Sequence, residues 1–504
     1  MHTLMSINWG LMMPEIIIAT AAILLSLLDL FAKDTFKRKN LAYVALAAII
    51  LSFVSLVFQY GQPAGDIING SFVLDGFSKS FKTLLLIGSA LILLLAVSDT
   101  KERSITDESE YYFLFLTALL GTMFMASSND LITLFIGLEM LTLSSFVLVA
   151  IRKKRLASSE AAMKYVINGG ISTAITLFGF SYLYGLTGTT NVIEMRTILS
   201  QGVSGDQQLL LSIAFILSFV GLSFKLATAP FHMWAPDVYE GAATPVTAFL
   251  GTISKIAGFI IVMRIFILVF TGIPVKEGTE SLFMSLQMFI IVLASVTMIV
   301  GNTVALKQRN VKRLFAYSGI AHAGYLLVPF LSISPFTLDS MWFYMAAYLL
   351  MNIGAFAIIH AFIRNDGHED ISMFAGLYKR SPGIAFAMTI FILSLAGIPG
   401  TAGFIGKLNI FVGAFTSQPV HYVLPAIMML TTVISYVYYF RILQLMFFRS
   451  PEKETKPEIP FNIGFVIVLC VIGTVLLGVF PSIGYNFFHD TFPLTKDFFF
   501  TGAK

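Results

Sequence analysis

The sequence predicts an all-α integral membrane protein with about 14 transmembrane helices, and three observations support this. Of its 504 residues, 57% are hydrophobic and only 12% are charged, with a mean hydropathy of +0.84. An average soluble domain is about 25% charged. Apolar runs of about 20 residues, each long enough to cross a bilayer, recur from one end of the chain to the other. No soluble domain or long linker fits between these runs.

Fourteen apolar segments, which we call spans 1 to 14, make up this prediction. The N-terminus lacks a basic region followed by a cleavage site, so span 1 is expected to be a retained helix. Span 12 is too long for one straight crossing. The approximate bounds are Trp9–Phe31, Asn40–Gln59, Phe77–Ser98, Tyr111–Ala126, Asp130–Ile151, Glu160–Leu186, Gln207–Ala229, Gly241–Phe270, Ser281–Leu306, Val311–Leu331, Met341–Ile363, Pro382–Phe415, His421–Phe448 and Ile459–Phe480.

The distribution of Lys and Arg over the loops supports this count. If both termini lie outside, the inner loops hold twenty of these residues, in clusters at 33–39, 101–103, 152–155, 307–313, 364–380 and 449–456. The outer loops, flanks and tail hold only six: Lys79, Lys82, Arg196, Lys276, Lys496 and Lys504. Such an excess is typical of cytoplasmic loops. The basic run at 152–155 is therefore interpreted as a topology anchor rather than a nucleic-acid patch.

Several charged residues remain inside the predicted spans. They are Lys164, Lys225, Lys255, Arg264, Lys407, Arg441 and, near the middle of span 5, Glu139. A charge at the centre of a bilayer costs roughly 2.5–3.5 kcal/mol or more, so a charge there indicates a functional site. Long basic side chains near the end of a span instead extend to the headgroups. We expect that of Arg264 and Arg441, and Lys164 fits either description.

Two of these lysines lie beside predicted helix breaks. Span 7 carries Lys225 and is expected to break at Pro230, before a polar turn in which Asp237 and Glu240 are solvated. Span 12 carries Lys407 at the end of the run SLAGIPGTAGFIGK. Proline removes a helical hydrogen bond and glycine weakens a helix further. Interrupted helices at matching positions of two halves indicate an ion site.

An internal duplication is predicted from the spacing of these residues. Lys225 and Lys407 are 182 positions apart, and Glu139 and His322, which lies in span 10, are 183 apart. Spans 4–8 thus match spans 9–13, each set with one discontinuous helix (spans 7 and 12), and because five is odd the second repeat is inverted. Lys255 has no exact counterpart. The predicted division is 1–110 for spans 1–3, 111–271 for repeat one, 281–448 for repeat two and 449–504 for span 14 and the tail.

A line of proton-binding side chains is the hypothesis that these residues support. Burial favours the neutral form of a lysine, whereas a nearby carboxylate favours the charged form. A lysine whose distance to Glu139 changes would bind a proton when close and release it when far. We expect Glu139, Lys225, Lys255, His322 and Lys407 to form this line through internal water. Histidine suits a relay because its ordinary pKa is near 6.5, although Glu139 and His322 also fit purely structural roles.

Other functional classes fit less well. The single cysteine, Cys470, excludes a disulfide framework and an iron–sulfur cluster ligated within the chain. The sequence contains no nucleotide-binding motif, and because the basic run at 152–155 is interpreted as a topology anchor, no nucleic-acid partner is expected. A stand-alone solute transporter would need a polar pocket at the midplane beyond the charged line. A structural scaffold would not require lysines at helix breaks.

Four stretches of the sequence resemble the antiporter-like membrane subunits of respiratory complex I. They are SFKLATAPFHMWAPDVYEGAATPVTAFLGTISK (223–255), GLEMLTLSSF (137–146), KRLFAYSGIAHAGY (312–325) and SLAGIPGTAGFIGK (394–407). Three further features resemble one particular subunit type of that family: the run EAAMKYVINGG, a lysine rather than a glutamate at position 407, and a chain that ends soon after span 14.

This resemblance implies proton translocation driven by quinone reduction elsewhere in the complex. It implies a bacterial plasma membrane, with other membrane subunits of the complex, the lipid bilayer and internal water as partners, and no redox cofactor in this chain. By the same resemblance Glu139, Lys225, Lys255 and Lys407 would be the proton-path residues, with Lys164 a further candidate. Two related assignments stay open at this point: a subunit of a multi-subunit cation/proton antiporter and a subunit of a membrane-bound hydrogenase.

Overall fold

The computed structural model describes residues 8–31, 39–67, 70–97, 108–203, 205–271, 273, 282–415, 422–451 and 456–492. These residues form a helical bundle with one small antiparallel hairpin, β1 (Gly65–Ile67) and β2 (Phe72–Leu74). The helices are α1 Met13–Phe31, α2 Lys39–Gln59, α3 Gly76–Val97, α4 Glu108–Ser127, α5 Leu131–Ala150, α6 Leu156–Thr187, α7 Val192–Leu199, α8 Gly205–Leu226, α9 Trp234–Gly241, α10 Thr244–Gly251, α11 Ile253–Val262, α12 Leu268–Phe270, α13 Leu282–Ala305, α14 Val311–Leu327, α15 Pro335–Asp366, α16 Leu377–Arg380, α17 Pro382–Ala396, α18 Ala402–Ala414, α19 Val423–Phe448, α20 Phe461–Val479 and α21 Pro481–Thr491.

The predicted number of membrane crossings agrees with this bundle. Within the described residues, 13 helical segments are long and apolar enough to cross a membrane, and α17 and α18 together form the remaining crossing. The predicted ends of spans 3, 9 and 13 (Ser98, Ser281 and His421) lie outside the described residues, as do both termini. So do nine of the basic loop residues: Lys33, Lys37, Arg38, Lys101, Arg103, Lys276, Lys453, Lys496 and Lys504.

The spans differ in how deeply they are buried. Thr244–Phe270 is 100% buried within the chain, and Val311–Leu331 and Pro335–Asn365 are each 94% buried. By contrast, Leu156–Thr187 and Phe461–Val479 are only 28% and 33% buried. Spans 8, 10 and 11 therefore form the centre of the molecule. Spans 6 and 14 present apolar side chains outward, which is the arrangement expected where lipid or another membrane subunit covers a helix.

Both predicted helix breaks are present, and one begins earlier than predicted. In span 12, α17 ends at Ala396, Gly397 follows in the left-handed region at φ 81°, and α18 begins at Ala402. In span 7, α8 ends at Leu226, so the break precedes Pro230 by four residues. The next residue, Ala227, has φ 56°, which is rare for a residue with a Cβ. The predicted polar turn is also wrong, because its second half is helix α9.

Span 8 contains an interruption that the sequence did not predict. Helix α10 ends at Gly251, and Thr252 adopts φ −122° and ψ −75° before α11 continues. Ten residues later the helix widens into a π-helical turn at Met263–Ile267. Insertions of this kind often occur at functional sites in helices. The first interruption lies three residues before Lys255 and the second contains Arg264.

The two five-helix units share a local structure that repeats at a constant spacing. Asp130 forms an isolated antiparallel bridge with Asn191, and Asn310 forms the same bridge with Asp370. The corresponding residues lie 180 and 179 positions apart. Helices α6 and α15 both contain 32 residues, and each is followed by a glycine in the left-handed region. These matches support the duplication; inversion of the second repeat, which follows from the odd number of crossings, stays a prediction.

The structure corrects the pairing of residues between the repeats. The helices before the two breaks end at Leu226 and Ala396, which are 170 positions apart rather than 182. Lys225 precedes its break, whereas Lys407 follows its own, so the two lysines do not occupy equivalent positions. His322 is the twelfth residue of α14 and therefore matches the twelfth residue of α5, Thr142.

Candidate functional site

Three lysines are buried beside the three interruptions described above. Lys225 is the second-last residue of α8, Lys255 is the third residue of α11, and Lys407 is the sixth residue of α18. Their exposed fractions are 3%, 5% and 6%. All three therefore lie in the protein interior rather than at the headgroups, as the sequence predicted. The unwound backbone beside them is covered by protein, which is the condition for its occurrence at membrane depth.

Lys225 lines a small cavity in repeat one, and Glu139 is hydrogen-bonded to Thr173, another residue of the cavity wall. The Lys225 Nζ donates to the Thr142 Oγ1 at 3.1 Å, and the Thr173 Oγ1 donates to the Glu139 Oε1 at 2.8 Å. Both threonines line a cavity of about 10 Å³, with the polar side chains Ser172 and Lys225 beside them. That volume is about what one water molecule requires. The cavity therefore has room for one water molecule between Thr142, the partner of the ammonium, and Thr173, the partner of the carboxylate.

Lys255 extends from α11 toward helices α14 and α15 of repeat two. Its Nζ lies 5.9 Å from the centre of the Tyr348 ring and has no hydrogen-bond partner among the described residues. A Cβ placed on Gly319 would lie 2.6 Å from this Nζ and 3.0 Å from the Tyr348 Oη. The lysine therefore reaches repeat two only because position 319 has no side chain. A buried ammonium without a protein partner is a site for water.

His322 lies among four tyrosines between Lys255 and Lys407. Its Nδ1 is hydrogen-bonded to the Tyr344 hydroxyl, and its Nε2 lies 3.2 Å from the Tyr439 hydroxyl. The imidazole ring also packs against Tyr348 at 5.2 Å and Tyr325 at 5.6 Å, measured between ring centres. Tyr348 contacts Lys255 and Tyr325 contacts Lys407. The histidine is therefore well partnered, which suits a structural role and a relay equally.

Lys407 closes the end of the helix that precedes its break. Its Nζ donates to the carbonyl oxygens of Leu395 at 2.8 Å and Ala396 at 3.1 Å, the last two residues of α17. The carboxyl end of a helix carries a partial negative charge, so it stabilises a cation there. The ring of Tyr325 lies 5.0 Å from the same Nζ. Lys407 is thus held by backbone dipoles, and none of its hydrogen-bond partners among the described residues is a carboxylate.

Lys164 does not join this line of buried residues. It is 43% exposed and forms ion pairs with Glu160 at 2.8 Å and Asp237 at 2.6 Å. Asp237 also pairs with Arg313 at 2.6 Å, and Arg313 pairs with Glu240 at 2.9 Å. The expectation that Asp237 and Glu240 are solvated turn residues is therefore wrong. They lie on α9 and tie it to α6 of repeat one and α14 of repeat two.

Two buried ion pairs were not found from the sequence. Arg264 is fully buried and donates to both Asp75 carboxylate oxygens, at 2.7 and 2.8 Å, so the expectation that it reaches the headgroups is wrong. Lys82, counted as an outer flanking residue, is fully buried and pairs with Glu15 at 2.5 Å. The signal was available, because Glu15 is an acid inside an apolar run in the same way as Glu139. Arg441 is partly exposed on α19.

Comparison with known proteins gives a consistent result. Residues 128–435 match the family model described as NADH:quinone oxidoreductase/Mrp antiporter, TM. The chain is 65% identical, over 502 residues, to NADH-quinone oxidoreductase subunit N of Bacillus anthracis. The alignment covers 100% of this chain and 99% of that protein. It is 57% identical over 486 residues to the protein of the same name from Anoxybacillus flavithermus, covering 96% and 97%.

Solved structures share the fold. A chain of respiratory complex I from Thermus thermophilus with bound aureothin superposes with a TM-score of 0.78 at 29% identity, covering 94% of this chain and 98% of that one. A chain of the Mrp complex from Dietzia sp. superposes with a TM-score of 0.81 at 20% identity, covering 97% and 99%. At that identity the second likeness shows a common fold and nothing about activity.

Proposed function

The chain belongs to the NADH:quinone oxidoreductase/Mrp antiporter family, among the N subunits of NADH-quinone oxidoreductase, and from that membership we propose that its buried residues carry protons across the membrane. The line consists of Glu139, Lys225, Lys255, His322 and Lys407. The observation that carries the proposal is the burial of three lysines at three helix interruptions, next to hydroxyl, imidazole and carboxylate groups.

Changes in burial and pairing would load and unload the lysines. Burial disfavours the charged ammonium, and an approaching carboxylate favours it. Lys225 meets Thr142 directly, and Glu139 lies one helical turn away from Thr142 on α5. A shift of α8 relative to α5 therefore changes the distance from Lys225 to Glu139, and with it the balance between the charged and neutral forms of Lys225. Such a shift requires no loss of helical hydrogen bonds at the break after Leu226, because the helix already ends there.

Energy reaches this chain from other subunits of the complex. Moving one charge against 100 mV requires about 2.3 kcal/mol. A change of one unit in a pKa corresponds to about 1.4 kcal/mol. A change of about two units in the pKa of a lysine is therefore sufficient to move one proton against this potential. We propose that the chain itself performs no redox chemistry and acts as the translocating part of the enzyme. Quinone reduction and proton translocation then occur at distant sites. Their coupling requires packed helices or side chains that can adopt two discrete arrangements.

Lys164 is assigned a positioning role rather than a place on the line. Its contacts with Glu160 and Asp237 leave it partly exposed, and its own helix α6 is the least buried of the spans. Through Asp237 it holds α9, the helix that follows the break of span 7. We infer that loss of Lys164 shifts α9 and affects Lys225 indirectly.

Multi-pass placement in a bacterial plasma membrane follows from the family, and we propose that both termini lie outside. The excess of Lys and Arg on the loops that follow odd-numbered spans supports this orientation. A cysteine introduced at Lys154, an exposed residue of the loop after α5, would then react with membrane-permeant reagents but not with impermeant ones added outside. Labelling from outside would reverse the proposed orientation.

The related assignment to a cation/proton antiporter differs in its partners. An N subunit copurifies with flavin and iron–sulfur subunits after gentle solubilisation, whereas an antiporter subunit does not. A hydrogenase subunit would copurify with a nickel-containing partner instead. Pull-down of this chain followed by identification of its partners separates the three assignments.

The proton path is tested by replacing lysines in the assembled complex. Lys225→Ala and Lys407→Ala should each abolish proton translocation by the reconstituted complex while the chain stays assembled. The measurement is proton uptake into vesicles per NADH oxidised. Lys154→Ala removes an exposed lysine of the same charge and serves as the control. Unchanged translocation in both buried-lysine variants would overturn the proposal.

A further inference from the structure

The hydroxyl group of Tyr239 lies beside Gly251, four residues before Lys255 in the chain. Tyr239 is 1% exposed, and its Oη makes no hydrogen bond to any described residue. The Lys255 Nζ is unpartnered in the same sense, and so is the Oγ of the neighbouring Ser254. Buried polar groups are normally satisfied by protein or by ordered water. Three such groups on neighbouring elements indicate a site that water enters.

The position of Tyr239 matches that of Lys407 in the second repeat. Tyr239 is the sixth residue of α9 and Lys407 is the sixth residue of α18, and each of these helices follows a break. Lys225 has no such match, because it precedes its break. The corrected alignment therefore places a tyrosine in repeat one where repeat two has a buried lysine.

Helix α9 contacts the surroundings of both neighbouring lysines. Its first residue, Trp234, donates from Nε1 to the Phe224 carbonyl at 2.9 Å, directly before Lys225. Trp234 also stacks on Tyr165 at 4.5 Å, and the Tyr165 ring lies 6.0 Å from the Lys225 Nζ. One end of α9 is thus fixed beside Lys225.

The Tyr239 hydroxyl lies against the end of α10, and Lys255 is on α11, which continues the same span after the interruption at Thr252. Gly251 is the last residue of α10, whereas Lys255 and Gly258 are three residues apart on one face of α11. A Cβ on Gly251 would lie 3.4 Å from the Tyr239 Oη, and a Cβ on Gly258 would lie 3.5 Å from the Lys225 Cγ. The hydroxyl therefore lies against the chain four residues before Lys255, and Lys225 packs against α11 three residues after it.

Resting on the function proposed above, we infer that the Tyr239 hydroxyl is a further relay group of the proton path, through which Lys255 exchanges protons with the Lys225 side. A phenol donates one hydrogen bond and accepts another. A proton that arrives at the oxygen through water on one side is matched by release of the hydroxyl hydrogen to water on the other side. The phenol ends the step neutral, and rotation of its O–H bond restores the starting arrangement.

Tyr239→Phe tests this role with little effect on the packing, because it removes only an oxygen that has no hydrogen-bond partner among the described residues. In the complete reconstituted complex we expect proton translocation to slow by about tenfold. This is less than the roughly 10²–10⁴-fold that a positioned acid–base group contributes, because water replaces part of the role of the hydroxyl. The remaining rate should show a larger solvent deuterium isotope effect than the unmodified complex. Tyr111→Phe, a fully buried tyrosine on α4, is the control and should change neither quantity.

Lys255→Ala, measured beside Tyr239→Phe, separates this inference from the proposed function. If Lys255→Ala, Lys225→Ala and Lys407→Ala all keep full translocation, the proton path itself is wrong. If they lose translocation and Tyr239→Phe keeps both the rate and the isotope effect, only the inference about Tyr239 is overturned. Failure of Tyr239→Phe to assemble would also overturn it, because the hydroxyl would then be structural.

Discussion

In span 7, Lys225 precedes the break and its ammonium donates to a threonine hydroxyl near a carboxylate; in span 12, Lys407 follows the break and its ammonium closes the end of the helix before it. Both lysines are more than nine-tenths buried. The Lys225 ammonium in repeat one therefore has a side-chain partner, the Thr142 hydroxyl. The Lys407 ammonium in repeat two is held by the backbone carbonyl groups at the end of α17. Both five-helix units contain a broken helix, but the position of the lysine and its partners differs between them.

The second break is expected to be the less tolerant of added volume. A Cβ on Gly403 would lie 1.9 Å from the Ser394 carbonyl oxygen, so Gly403→Ala forces α17 and α18 apart. Overpacking typically costs about 1–3 kcal/mol, and a clash with backbone lies at the upper end. We expect a large loss of assembled complex and of proton translocation together, measured by copurification and vesicle assays. Gly383→Ala in the same span, where the new methyl group meets nothing within 4 Å, is the control; equal yields would show that the two half-helices are not rigidly packed.

The first break is expected to depend on its carboxylate. Glu139→Gln keeps an oxygen that accepts from Thr173 but removes the negative charge. Proton translocation should fall by at least about tenfold, which corresponds to about 1.4 kcal/mol in the limiting barrier, while assembly is retained. Glu110→Gln removes an exposed carboxylate that pairs with Lys153 and should have no effect. Full translocation by Glu139→Gln would mean that Thr142 alone sets the behaviour of Lys225.

Position 319 tests the junction between the repeats. Gly319 is the ninth residue of α14, as Glu139 is of α5, and its lack of a side chain admits the Lys255 ammonium. Gly319→Ala should displace Lys255 and slow proton translocation severalfold, with a loss of about 1–3 kcal/mol in stability. Gly170→Ala on α6, where a Cβ meets nothing within 4 Å, is the matched control. A normal rate in Gly319→Ala would show that Lys255 does not need to reach repeat two.

The smallest effect on translocation is expected at Glu369, a loop residue of repeat two whose carboxylate also pairs with Arg155 of repeat one at 3.3 Å. Burial raises the pKa of Glu369, but the Lys312 ammonium at 3.0 Å and the Asn310 amide outweigh it and hold that pKa below its ordinary value. A carboxyl with a lowered pKa stabilises the fold at neutral pH and loses that contribution as the pH falls through the folded-state value. Glu369→Gln should therefore lower the thermal stability of the complex at pH 7, by roughly 1.5–3 kcal/mol. The difference from the unmodified complex should shrink as the pH falls below the ordinary pKa range of a glutamate; a difference independent of pH would exclude the carboxylate as its cause.

The sequence predicted the features that depend on local composition. The membrane crossings follow from apolar runs, and the break of span 12 was placed correctly because Gly397 and Gly400 adopt positive φ. The break of span 7 was misplaced because it begins at Ala227, which carries no such signal. The left-handed conformation there is imposed by packing rather than by residue type.

What the sequence missed depends on partners distant in the chain. Lys82 pairs with Glu15 and Arg264 pairs with Asp75, so each pair is identified only once the helices are assembled. The offset of 182 between Lys225 and Lys407 was misleading for a similar reason. The segment from the isolated β-bridge to the helix break differs in length between the two repeats. This difference is visible only from the ends of the helices.

The central claim is that the buried amines release protons rather than act as fixed charges, and arginine substitution tests it most directly. An arginine keeps the positive charge but does not lose its proton in proteins. In the reconstituted complex we predict that Lys225→Arg and Lys407→Arg abolish proton translocation per NADH as completely as the alanine variants do. Retention of near-normal translocation by the arginine variants, together with its loss in the alanine variants, would contradict the account and show that a fixed charge is all that these positions supply.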